Sequence, residues 1–99
     1  MKASFENDRR LQDILSRILK VSRPDKIVLF GSRAGRASRR LSDFDIALFG
    51  KVDLPRVKAE LEEAQTLLKI DLISFDTLKN IKLKNKILEE GVVLYERKI

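Results

Sequence analysis

Leu29-Phe30-Gly31-Ser32-Arg33-Ala34-Gly35-Arg36-Ala37-Ser38-Arg39-Arg40-Leu41-Ser42-Asp43-Phe44-Asp45-Ile46-Ala47-Leu48-Phe49 is the stretch that decides how this chain is read. The apolar run 27–30 has the character of a short buried strand, and Gly31-Ser32 ends it abruptly. Ten residues, 33–42, separate Ser32 from Asp43-Phe44-Asp45, which opens a second strand over 44–49. Side chains two apart in a strand share a face, with Cα atoms about 6.5 Å apart. Asp43 and Asp45 therefore converge on one side while Phe44 and Ile46 turn to the other. Two neighbouring acids repel, so the arrangement calls for a cation, and hard divalent ions such as Mg²⁺ take carboxylate oxygens together with substrate phosphates. The Gly31-Ser32 turn offers free backbone N–H groups and a hydroxyl to the other end of such phosphates. Neither half is specific alone: Asp-x-Asp is common at strand entries and turns, and most Gly-Ser pairs are plain turns. The conjunction, at this spacing, carries the signal.

The composition narrows the chemistry further. Ninety-nine residues suit one domain, 1–99, with a single modest core. The chain has no Cys and no His, which removes disulfides, thiolate metal sites, Ser-His triads and any imidazole base. Chemistry must then run on carboxylates, hydroxyls, Lys, Arg and a recruited ion, as in magnesium-dependent phosphoryl chemistry. The net charge is +6 and the pI about 9.8. The basic residues are spread along the chain without the aromatic interleaving of a single-strand binder. A solvated basic surface is expected, and direct nucleic-acid binding is not. No apolar run approaches the roughly 20 residues of a membrane span, and no secretory leader is evident, so the expected location is cytoplasmic.

Outward from the central stretch, Leu11, Ile14, Leu15, Ile18 and Leu19 recur at helical spacing. Asn7 or Asp8 could cap that helix, and Ser22-Arg23-Pro24 ends it near Val21. Segment 33–42 carries Arg33, Arg36, Arg39 and Arg40. Its plain reading is a solvated loop or short helix; its functional reading is that one or two arginines steady a triphosphate. Arg33 and Arg36 lie nearer Gly-Ser and are the candidates. After Gly50, Asp53 and Pro55 read as the cap and first turn of a helix with Val57, Leu61, Ala64 and Leu68 inward. A third strand spans 69–75, with Asp71 near its start. A charge there is costly without a partner, so the residue reads as a salt bridge, an exposed edge position or a ligand. Asp76 is the alternative ligand, but just ahead of Thr77 and Leu78 it reads better as a helix cap. Residues 77–90 are Lys-rich and helical in pattern, with Leu83, Ile87 and Leu88 as apolar contacts. Gly91 is placed as the C′ stop, and 92–95 form a last strand. The expected fold is α+β: a small mixed sheet of three or four strands packed with helices. No repeat or P-loop motif is present.

Gly31-Ser32-Arg33-Ala34 after a strand, with Ser42-Asp43-x-Asp45-Ile46 following, resembles the signature of the minimal nucleotidyltransferase (MNT) group of the polymerase β-like nucleotidyltransferases. The ending, Ile87 through Gly91-Val92 to Leu94-Tyr95, is also similar, so the resemblance covers essentially the whole chain. The order Gly35-Arg36 departs from the Arg-Gly common in that group, which touches the loop and Arg36 but no candidate metal ligand. The resemblance implies Mg²⁺-dependent transfer of AMP from ATP to a hydroxyl. Asp43, Asp45 and Asp71 would then be the catalytic carboxylates and hold two Mg²⁺ ions, with Gly31, Ser32, Arg33 and Arg36 on the nucleotide. It also implies a partner, a HEPN-type toxin modified on a tyrosine, with this chain as its antitoxin. An idle antitoxin that acts by stoichiometric binding, and a stand-alone transferase on a small molecule or RNA end, are the alternatives. A homodimer is left open.

Overall fold

A computed structural model describes residues 9–30, 43–63 and 69–98. Helix α1 (Arg9–Val21) is followed by strands β1 (Lys26–Phe30) and β2 (Asp43–Phe49). Helix α2 (Leu54–Glu62), strand β3 (Lys69–Ser74), helix α3 (Ile81–Glu90) and strand β4 (Val92–Glu96) complete the order. The four strands form one mixed sheet in the order β3-β2-β1-β4. β1 runs antiparallel to both β2 and β4, whereas β2 and β3 are parallel, with α2 as the crossover between them. The fold class is α+β, as the strand and helix patterns predict. No helix among the described residues is long and apolar enough to cross a membrane.

Burial follows the period-2 alternation of the strands. On one face Ile27 and Leu29 of β1, Phe44, Ile46 and Leu48 of β2, and Leu72 of β3 pack against Leu11, Ile14 and Ile18 of α1 and Val57 and Leu61 of α2. On the other, Val28, Phe30 and Ala47 pack under Ile87 of α3, with Ile73, Phe75 and Leu83 around them. β1 and β2 are apolar on both faces because helices cover both, which is why they read as continuous apolar runs. Of the predicted α1 stripe, Leu11, Ile14 and Ile18 are buried and Leu15 half-buried, while Leu19 is exposed. Arg17 bridges to Glu60 at 3.2 Å and ties α1 to α2.

The helix starts show which cap candidates are used. Asp53 caps α2, its carboxylate accepting from Arg56 N at 3.2 Å, and a proline sits in the first turn. The Asn7 and Asp8 cap candidates, and Ala64 and Leu68 of the predicted second helix, lie outside the described residues. The last helix begins later than its Lys-rich pattern suggests: 75–77 form a turn, and α3 starts at Ile81. Asn80 is its cap, accepting from Leu83 N at 3.0 Å. Asp76 is not a cap; its Oδ1 accepts from Gly50 N at 3.2 Å, at the end of the sheet where Asp25 N donates to Phe49 O. Leu88 is also not an apolar contact, being 60% exposed. Gly91 ends α3, but with φ −70° and ψ 154° rather than in the left-handed C′ conformation.

Candidate active site

Strand register brings two of the predicted carboxylates together. In the parallel β2–β3 pairing Asp45 stands opposite Asp71, and in the antiparallel β1–β2 pairing Asp45 stands opposite Phe30. Paired residues on neighbouring strands share a face, and the strands lie about 4.8 Å apart. Phe44, Ile46 and Leu72 belong to the α1/α2 core, so Asp45 and Asp71 alternate onto the opposite face, the one α3 covers further along. They continue the row of Phe30, which Ile87 of α3 covers, outward to the exposed edge strand. Asp45 is half-buried beside the buried Phe30, and Asp71 is exposed.

The sequence left Asp71 between a salt bridge, an exposed edge position and a ligand. β3 is an edge strand of the sheet, which explains how the charge is tolerated, and no ion pair holds it among the described residues. The remaining predicted residues divide clearly. Asp43 is the first residue of β2, with its backbone in register with Lys69. Gly31, Ser32, Arg33 and Arg36 lie outside the described residues; Phe30, the last residue of β1, stands opposite Asp45. Asp76 lies at the far end of the sheet, against Gly50, and is not part of this row. No cluster of three or more Asp, Glu, His or Cys side chains arises among the described residues.

A groove of about 600 Å³ runs along the outer edge of β3 between Lys58, Leu61 and Glu62 of α2 and residues 70–73. It reaches Asp71 but not Asp45 and lies chiefly on the α2 side, so the carboxylate row, not this groove, marks the candidate site. The donor set suits a hard cation: two carboxylates in register, one half-buried, on the same face beside the last residue of β1.

The family model described as "Polymerase beta, Nucleotidyltransferase" matches residues 11–99. The chain belongs to the polymerase β nucleotidyltransferase family. Three solved structures resemble this nucleotidyltransferase in fold. One is a toxin-antitoxin crystallised with AMP-PNP, 22% identical, covering 88% of this chain and 74% of that one at a TM-score of 0.66. The second is a toxin-antitoxin MntA-HpeT variant with two aspartates changed to glutamate, 20% identical, covering 93% and 75%, TM-score 0.65. The third is MntA-HpeT with a tyrosine changed to alanine, 21% identical, covering 93% and 74%, TM-score 0.60. No curated protein matches the chain.

Proposed function

We propose that this nucleotidyltransferase transfers AMP from ATP to a tyrosine hydroxyl of a HEPN-type toxin and thereby acts as its antitoxin. The observation that carries the reading is the Asp45–Asp71 register pair beside Phe30, the last residue of β1. The fold neighbours support the partner class, since they are toxin-antitoxin assemblies, one of them studied with an ATP analogue.

Asp43, Asp45 and Asp71 would hold the Mg²⁺ ions, two in this reading, which supply charge neutralisation at the reacting phosphate and the leaving group. Gly31 lets the backbone come close to the β/γ phosphates, and Ser32 donates to them. Arg33 and Arg36 steady the same phosphates with paired N–H donors. Asp71, exposed on the edge strand, is the carboxylate an incoming hydroxyl can reach, and it accepts the proton. The tyrosine oxygen forms a bond to the α-phosphorus, the α–β bridging P–O bond breaks, and pyrophosphate leaves with that electron pair. Positioning and charge carry the catalysis, which is why a chain without histidine can perform it.

The test is intact-mass and peptide mass spectrometry of the toxin co-expressed with this chain. AMP on a toxin tyrosine, absent with Asp45→Asn while the complex persists, is the expected result. Full neutralisation of the toxin by Asp45→Asn, with no modified tyrosine in either sample, overturns the transferase in favour of stoichiometric binding.

A further inference from the structure

Strand β3 is an edge of the sheet, paired with β2 alone among the described residues. One bond fixes which of its main-chain groups face β2: Phe75 N–H donates to Leu48 O, and Leu48 stands opposite Ser74. In a strand the N–H and C=O of one residue point the same way, and those of the next point the opposite way. Residues 69, 71, 73 and 75 therefore bond to β2, and the main-chain groups of Ile70 and Leu72 point outward from the sheet. The two edges differ. On β4 the pairing with β1 shifts register between Ile27 and Val28, an irregularity that blunts an edge against further pairing. β3 keeps unbroken register from Lys69 to Ser74.

Asp71 lies between the two outward-facing residues, on the face it shares with Asp45, while Ile70 and Leu72 turn to the α1/α2 core. An extended chain laid antiparallel on β3 would bond to Ile70 and Leu72 and set one residue opposite Asp71. That residue falls in a non-hydrogen-bonded pair, where Cα atoms are about 4.5 Å apart and side chains are closest. Its side chain joins the row of Phe30, Asp45 and Asp71. Its two neighbours turn to the other face, where the groove along Leu61, Ile70 and Leu72 gives them room. A second copy of this chain paired at that position would set Asp71 against Asp71, and like charges directly opposite are destabilising. A hydroxyl residue meets the carboxylate as a donor instead. A tyrosine projects further from the backbone than an aspartate, which leaves space below its hydroxyl for an ion about 2.1 Å from the carboxylate oxygens. A serine leaves none.

We propose that the acceptor tyrosine enters the site on an extended segment of the toxin that adds to β3 as a further, antiparallel strand, with the tyrosine opposite Asp71. This inference rests on the nucleotidyl-transfer reading above. NMR-detected hydrogen exchange tests it on this chain, free and bound to unmodified toxin with Mg²⁺ and α,β-methylene-ATP, whose α–β bridge does not break. The Ile70 and Leu72 amides exchange fast in the free chain and slow by about tenfold or more in the complex, whereas those of Asp71 and Ile73 are protected in both. A pair of variants gives a second measurement. Ile70→Pro removes an outward N–H and keeps the bonds to β2, since an edge strand tolerates proline where the nitrogen faces solvent. Ile70→Ala shortens the same side chain and keeps the N–H. AMP transfer to the toxin falls about fivefold or more in Ile70→Pro relative to Ile70→Ala, with α,β-methylene-ATP affinity equal within about twofold. Where Ile70→Pro does not fold, exchange in the parent decides alone. Equally fast exchange of Ile70 and Leu72 in the free chain and the complex, or equal transfer by the two folded variants, overturns the edge assignment and leaves the transfer reading standing. Protection of both amides in the chain alone, growing with its concentration, gives the edge to a second copy and also overturns the proposal. A toxin left without AMP by the parent removes the transfer reading, and the edge assignment falls with it.

Discussion

Replacing Gly91 with alanine tests the packing that holds α3 over the sheet, and hence the shape of the face that carries the acids. The backbone there, φ −70° and ψ 154°, is open to any residue, so no conformational strain arises. The obstacle is contact. A Cβ on Gly91 would stand 2.4 Å from Val28 Cγ1 and 2.5 Å from Ile87 O. Val28 is 3% exposed, and Ile87 O accepts the Gly91 N–H at 3.0 Å, so neither atom has room to retreat. Overpacking costs about 1–3 kcal/mol, and two unyielding contacts place this case near the upper end. For a domain of this size about 3 kcal/mol corresponds to roughly 12–24 °C in melting temperature. Urea and thermal denaturation followed by circular dichroism will read it. A left-handed C′ glycine would make Gly91→Asn the mildest substitution; here asparagine must cost at least as much as alanine. Gly91→Ala within about 0.5 kcal/mol of the parent, or Gly91→Asn milder than Gly91→Ala, refutes the packing argument.

Ile87→Ala should cost about 2–5 kcal/mol, since Ile87 is the buried residue of α3 in the second core. Leu88→Gln, one residue on but 60% exposed, should stay within about 0.5 kcal/mol in the same urea titrations. Asn80→Ala and Asp53→Ala each remove a helix N-cap and should cost about 1 kcal/mol. Asp76→Ala, by contrast, should leave α3 intact and act only at the Gly50 turn, a difference that hydrogen exchange at the first turn of α3 will show.

Much of the fold was legible because its punctuation is chemical. Apolar runs ended by Gly31-Ser32 and Gly50 located β1 and β2 within a residue, and Asp53 with Pro55 located the start of α2. The later chain was less legible for physical reasons. Asp76 and Asn80 are both competent caps, and only tertiary structure engages the first with Gly50 N and leaves the second to start α3. Leu83, Ile87 and Leu88 all suit helical spacing, but α3 touches the sheet along a line too narrow to bury the third. At Gly91 the sequence suggested a turn conformation, whereas close approach to Val28 is what demands glycine. For the site, Asp-x-Asp and a later acid in a strand could be named from residue types. Their juxtaposition was implied only by the family resemblance, because it depends on β2 and β3 being adjacent, parallel and in a register that sets Asp45 beside Asp71.

The most direct test of the account is where a divalent ion binds. An anomalous difference map from crystals of this chain grown with Mn²⁺ and AMP-PNP will locate it. The account predicts a manganese peak in direct coordination with carboxylate oxygens of both Asp45 and Asp71, with the nucleotide phosphates on the same ion. A peak elsewhere on the chain, or the Asp71 carboxylate turned outward over the edge of β3 with nucleotide bound, would contradict it.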